Sequence, residues 1–556
     1  MAEPLSKITI VGGGTAGWLS ALMLNRLVRD PKNAKRPIDI TLIESPNVPT
    51  VGVGEATVPG MPRTLRSMGL AEKDFFKACN ASFKLGVMFN GWNVDKKGKP
   101  FNFMNPFSRM PVIEGADAGL YMARFGAPGM EFAQTFSAAT DLFRANRGPR
   151  PLGQPEYGGA AGFAYHLDAG AFAGMLRDVC VARGVTHIRE NVVSVEQGED
   201  GYITALQLEA TGRHPVELVL DCTGFKGVII NEVLKEPFIS YSKYLANDRA
   251  MALQIPHPNP KKIASATQST ALGAGWVWRV PLFHRIGTGY VFSSAHRTDD
   301  EAREEFLAHL GPDYADAEPR VIPMRVGRTA RTWVKNCVAV GLSSGFIEPL
   351  ESTAIHTIDM TIRWLATYLP DRDFADPLRD RFNMLTRSLY DEIRDFIVVH
   401  YALGNRTDDP YWVDARGLEL PDSLAANLEV WKYGPPQHYD IGFDSFTSAG
   451  VYQSVILGKR AYEMGFGDLS RLRTAPLNEA AWKQVLSNAK RNVGKLVKDM
   501  ADHHTLLREL RGELQPDQPF GAFGQTAATV PLPGAARPRV PAAPLPAQMS
   551  DAAGLF

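Results

Sequence analysis

Gly12, Gly14 and Gly17 form a Gly-x-Gly-x-x-Gly turn directly after the apolar run Lys7–Val11 and just before a helical stretch that starts at Trp18. Each glycine does something different for a bound pyrophosphate. The first permits the tight turn, the second lets the phosphates approach the backbone, and the third lets helix and strand pack closely. The helix N-terminus then favours the phosphate charge. Glu44 ends the next strand, Ile38–Ile43, where a carboxylate can accept from a ribose hydroxyl. It stands 27 residues after Gly17, and the loop at 30–37 explains why this exceeds the usual spacing. The strand, turn, helix, second strand and acid together read as a dinucleotide site, against the alternative of a purely structural glycine turn. Two more glycine turns follow strands, at Asp221–Gly224 and Gly341–Gly345. They favour FAD over NAD, because a long cofactor crosses several strand ends. No second glycine fingerprint of this kind follows a strand, so the electrons that reduce the flavin are expected from another protein.

Other residues could do chemistry closer to a substrate. Glu348 and Glu351 lie between the Gly345 turn and a strong helix. A buried carboxylate can stabilise a cation and remove a proton; one at a helix start can also simply answer the helix dipole. Ser352 and Thr353 open that helix, and their plain reading is capping. Lys84 stands alone on a strand face opposite Phe83, Leu85, Val87 and Phe89, which by pattern makes it an ordinary solvent-facing lysine. Trp276 and Trp278 alternate along a strand, so both indoles face one side and read as core packing.

The elements that must position these residues follow from periodicity. Strands are expected at 187–195, 202–208, 216–220 and 337–340, and a hairpin at 275–294. Ile355, Ile358, Ile362, Leu365 and Leu369 mark one buried helical face. The fold class is α/β: an FAD-binding, Rossmann-like body resembling single-component monooxygenases, spanning 1–375 with an inserted substrate-side sheet. A mainly helical substrate-covering region follows at 376–512, then a Pro/Ala-rich tail at 513–556 that reads as disordered. Lys plus Arg equals Asp plus Glu at 60 each, which gives no reason to expect nucleic acid or a membrane surface as partner. Cys79, Cys180, Cys222 and Cys337 are too dispersed for a metal or redox pair, and no metal site is expected. No signal-peptide layout or 18-residue apolar run is present, so the expected location is the cytoplasm.

These segments resemble the flavin-dependent halogenases of the tryptophan-halogenase family. Gly12-Gly-Gly-Thr15-Ala16-Gly17-Trp18 resembles its nucleotide loop, and Gly52-Val53-Gly54-Glu55-Ala56-Thr57-Val58-Pro59 its strap between flavin and substrate pocket. Phe83-Lys84 resembles the segment with the catalytic lysine. Trp276-Val-Trp278-Arg-Val-Pro281 resembles the family's double-tryptophan signature, and Phe346-Ile-Glu-Pro349-Leu-Glu351-Ser352-Thr353 the segment with the catalytic glutamate and halide site. His400-Tyr401, Arg406, Asp409-Pro410 and Trp412 extend the likeness into the helical region.

The resemblance implies a reaction in which reduced FAD, supplied by a separate NAD(P)H-dependent flavin reductase, and oxygen oxidise a halide to hypohalous acid. It implies that Lys84 carries or hydrogen-bonds that acid, leaving a chloramine and an activated acid both open. It implies that Glu351 stabilises and deprotonates the arene cation. Backbone groups of Thr353 and Ala354 would hold chloride or bromide, although the family usually has glycine at the second position. Phe107 and Ser352 would line the substrate pocket, and Gly341 and Pro349 would join the flavin-side residues. Asn105 replaces a histidine usual in tryptophan-specific members. The stretch Phe443–Gln453 lacks the Phe-Trp pair of enzymes acting on free tryptophan. The expected substrate is therefore another electron-rich aromatic, indole-like or phenolic. A homodimer is compatible with the sequence. The rival reading is a flavin-dependent aromatic monooxygenase, which would need no halide.

Overall fold

The computed structural model describes residues 3–28, 38–48, 54–441 and 448–514. Residues 515–556 of the expected tail, Gly52 and Val53 lie outside them. Strand Lys7–Val11 sits inside a six-stranded sheet in the order 186–188, 39–43, 7–11, 218–221, 337–339, 333–334. All neighbours run parallel except the last pair. Helix Thr15–Leu27 crosses from the first strand and buries Trp18, Leu19, Leu22, Met23 and Leu24. This is a Rossmann-like α/β layer, whose strand ends gather at the glycine turns.

A second sheet of seven strands supports the substrate side. Its order is 320–323, 249–255, 286–292, 275–281, 267–271, 86–94, 100–106. A three-stranded sheet in the order Gly54–Ala56, Ala164–Asp168, Ser82–Lys84 packs against the hairpin strands Gly275–Pro281 and Ile286–Phe292. The run 82–92 is therefore two strands, not one: Lys84 pairs with Ala164, while Gly86 onward pairs with Thr267–Ala271 and Pro100–Pro106. Both faces of this run are covered, and Lys84 is fully buried rather than solvent-facing.

Beyond residue 375 the chain is mainly helical, with helices Asp376–Ala402, Pro410–Gly417, Asp422–Trp431, Ala449–Gly458, Glu479–Asp499 and His503–Leu510. The first of these buries Ile393, Phe396, Ile397, Val399, His400 and Tyr401 against the seven-stranded sheet and the Glu348–Glu351 turn. None of the described helices is long and apolar enough to cross a membrane.

A second fully buried lysine, Lys459, caps the helix Ala449–Gly458. Its ammonium donates to Asn93 Oδ1 at 2.6 Å and lies 5.3 Å from the Trp92 ring and 5.6 Å from Phe103. Burial lowers its pKa from 10.5 to about 7. The folding penalty is fully present below about pH 7, where the folded chain keeps a buried ammonium. It shrinks from there toward pH 10.5, where the unfolded chain still holds a proton that the folded chain has released. In urea titrations, the stability difference between Lys459→Met and the parent should move in the parent's favour as pH rises through this window. A difference that does not change with pH would contradict a neutral buried amine.

Candidate active site

At the nucleotide end, two of the three glycines are required by their own surroundings. Gly12 has φ +120°, and a Cβ there would meet Cys222 O at 2.3 Å; one on Gly17 would meet Gly12 O at 1.8 Å. Gly14 faces open space and caps helix Thr15–Leu27 without any side-chain cap, so the first amides of the helix stay available to an anion. Gly341 turns with φ +72°, so close to the same helix that a Cβ would come 2.7 Å from Ala16 Cβ. Glu44 lies over Gly13 at the end of its strand, and its Oε2 accepts from His187 Nε2 at 2.9 Å. An open helix terminus, backbone cleared by glycine and an acid beside the ribose position fit a dinucleotide. Sequence reasoning found all of these except His187, which enters from the neighbouring strand Thr186–Ile188.

The strap strand Gly54–Ala56 connects this end to the second site. Gly54 packs against Val280 and Gly287 of the tryptophan hairpin; a Cβ on Gly287 would lie 2.9 Å from Gly54 N. Glu55 is partly buried, and loss of water raises its pKa to about 7. The next residue but one, Thr57, offers its carbonyl to the Lys84 ammonium at 3.1 Å. Lys84 also donates to Ser352 Oγ at 2.8 Å and lies 5.1 Å from the Phe107 ring centroid. Burial lowers its pKa to about 7, partly offset by attraction to Glu351. Strap, lysine and the Ser352 turn thus form one hydrogen-bonded unit.

That turn differs from plain capping. The helix begins at Ala354 with Thr353 as its cap, and no side chain caps it. Ser352 has left-handed φ of 61°, which points its hydroxyl to Lys84 instead. Thr353 is buried and Ala354 exposed, and the leading amides of this 14-residue helix suit a small anion. Pro349 is exposed at the start of the preceding turn.

Glu351 is 5% exposed, and its Oε1 takes two contacts, from Asn105 Nδ2 at 3.0 Å and His400 Nε2 at 3.1 Å. Glu348, fully buried, is committed elsewhere. Its Oε2 accepts from Tyr401 OH, from Asn247 Nδ2 at 3.0 Å and from Trp276 Nε1 at 3.2 Å, and burial raises its pKa against these contacts. So Trp276 is more than core packing: its indole N–H holds the competing acid. Trp278, on the same side, stands 6.4 Å from it between ring centroids. Pro281 ends the strand, and its carbonyl accepts from Ser82 Oγ. Of the nearby phenylalanines, Phe107 is at the lysine, Phe103 stacks on Phe89 at 4.8 Å, and Phe101 lies under Arg460. His400 and Asn105 were missed as partners of Glu351, although both stood in segments singled out by resemblance.

The parallel sheet and its glycine cradle make this a Rossmann-like, dinucleotide-binding class of fold. The tryptophan halogenase family model matches residues 7–474, and the chain belongs to this family. It is 33% identical over 540 residues to the tryptophan 6-halogenase ThaL of Streptomyces albogriseolus, covering 92% of this chain and 100% of that one. A solved tryptophan halogenase from Shewanella frigidimarina NCIMB 400 superposes with a TM-score of 0.86 at 35% identity, covering 92% of this chain and 99% of that one. BrvH, a flavin-dependent halogenase from Brevundimonas sp. BAL3, superposes with a TM-score of 0.79 at 34% identity, covering 91% and 99%.

Proposed function

We propose that this chain is a reduced-FAD-dependent halogenase of electron-rich, indole-like or phenolic compounds other than free tryptophan. The observation that carries the reading is a buried ammonium hydrogen-bonded to Ser352, whose chain neighbour is the buried carboxylate of Glu351. Gly12, Gly14, Thr15, Ala16, Gly17, Glu44, the strap residues and Gly341 would hold FAD. When bound in reduced form with oxygen, FAD supplies the oxidising power that converts halide to hypohalous acid.

The chain's own residues then do the following. Amides at Thr353 and Ala354 bind the halide beside the flavin side. The strap and the Phe107 ring exclude water around Lys84. Lys84 aims the electrophilic halogen, by hydrogen bond or as a haloamine. Glu351 stabilises the arene cation and accepts its proton. A separate flavin reductase supplies the electrons.

The substrate class rests on the 443–453 segment. Residues 443–447 lie outside the described set. In the rest, Gln453 spends its amide on Pro436 O, and Tyr452 packs against Phe396 and Trp431.

The test is an assay with FAD, a flavin reductase, NADH, oxygen, bromide, and a panel of indole, phenols and free tryptophan, read by mass spectrometry. Bromide-dependent products from indole or a phenol are expected. Efficient conversion of free tryptophan with indole untouched would overturn the substrate class. Hydroxylated products independent of halide would establish the monooxygenase instead.

A further inference from the structure

His400 Nδ1 lies 2.8 Å from the carbonyl oxygen of Phe396, one turn back on its own helix. A carbonyl only accepts, so Nδ1 carries a hydrogen. The other ring nitrogen, Nε2, lies 3.1 Å from Glu351 Oε1. An ionised carboxylate also only accepts, so a neutral His400 would set two lone pairs against each other inside a closed site. His400 is fully buried, so water cannot stand between them to relieve this. The contact therefore contains one proton.

That proton has two places to rest. On Glu351 it would leave a neutral acid, already protonated and unable to take another proton. On His400 it leaves an imidazolium facing a carboxylate. The surroundings favour the second. Asn105 Nδ2 donates to the same Oε1, and the Lys84 charge interacts attractively with Glu351. Glu348, the other nearby acid, has its carboxylate turned to Tyr401, Asn247 and Trp276. Lys459, another buried cation, donates to Asn93 and packs over the rings of Trp92 and Phe103. Three rings lie around the imidazole, Phe396 at 5.0 Å, Phe89 at 5.1 Å and Trp92 at 6.4 Å between centroids.

We propose that His400 is a positioning residue that holds the shared proton, so that Glu351 enters the reaction ionised, with Oε1 occupied and Oε2 left as the base. This rests on the function proposed above. In the deprotonation step the C–H bond at the halogenated ring carbon breaks. Its electron pair returns to the ring, and the proton bonds to Glu351 Oε2. His400 keeps its own proton throughout and neutralises the carboxylate before the arene cation forms.

The test is nitrogen NMR of full-length protein labelled at histidine, at neutral pH, with the His400 signals identified by their loss in His400→Gln. Both His400 nitrogens should be protonated in the parent. In Glu351→Gln, checked for retained FAD binding, His400 should carry one proton, on Nδ1. A singly protonated His400 in the parent would overturn the proposal, as would an imidazolium that survives Glu351→Gln. Kinetics provide a second arm. His400→Gln still donates to Glu351 but brings no charge, so kcat should fall by about ten- to a hundredfold with little change in the KM for the arene. An unchanged kcat would overturn the proposal. Should the parent halogenate nothing on the panel, the proposed function fails, while the NMR result still decides the proton's position.

Discussion

Lys84→Met should reduce halogenation by about a hundred- to a thousandfold, the range for losing one preorganised donor at the reacting centre, while FAD binding and thermal stability persist. The lysine reaches the Thr57 carbonyl and the Ser352 hydroxyl from a fully buried strand, far from the glycine cradle in sequence. Methionine fills similar space without a charge. Removing a buried ammonium whose pKa is already down at about 7 relieves a desolvation cost. A merely structural lysine would show the opposite pattern, with activity following stability. Near-normal product formation by Lys84→Met, measured by mass spectrometry under saturating reduced FAD, would remove the lysine from the chemistry.

Glu351→Gln should slow product formation by about a hundredfold or more, the usual weight of a general base, with a qualitative change in kinetics. Glutamine keeps the shape, and its amide N–H can donate to the free ring nitrogen of His400. It cannot take a proton. Loss of the ring proton should then become rate-limiting, and an arene deuterated at the reacting carbon should show a primary isotope effect that the parent lacks. The matching change at the other acid, Glu348→Gln, should act mainly on stability. Glu348 is enclosed by Tyr401, Asn247 and Trp276, and its second oxygen has no hydrogen-bond partner among the described residues. Equal isotope effects for both variants would undo the choice between the two acids.

The nucleotide half of the molecule could be read almost completely from the chain, because its determinants are local. A strand, a glycine turn and a helix follow one another within residues 7–27, and Gly12 and Gly17 answer contacts with an adjacent strand end and a near neighbour. The substrate half was harder, for physical reasons. Alternation places Lys84 on the polar face of its strand, and only tertiary structure shows that this face is covered. The cover comes from the strap, Phe107 and Ser352, the last of them 268 residues away. Two acids three residues apart on an irregular turn cannot be told apart by spacing either. Their separation is made by the helix Asp376–Ala402, which presents His400 to Glu351 and Tyr401 to Glu348. The Ser352 hydroxyl looked like a cap because serine before a helix usually is one; the left-handed backbone there turns it to the lysine instead. The role of Trp276 stayed hidden for the same reason, since its partner acid lies 72 residues on.

All of this requires the oxidised halogen to travel inside the protein, past Lys84, without entering bulk solvent. The most direct measurement is the yield of halogenated arene from the parent enzyme, in bromide, with increasing free methionine added as an external scavenger of hypohalous acid. The yield should stay level, and methionine should remain unoxidised. A yield that falls in proportion to added methionine, with methionine sulfoxide appearing in its place, would mean that the halogen escapes to water, and Lys84 and Glu351 would then not form one enclosed route.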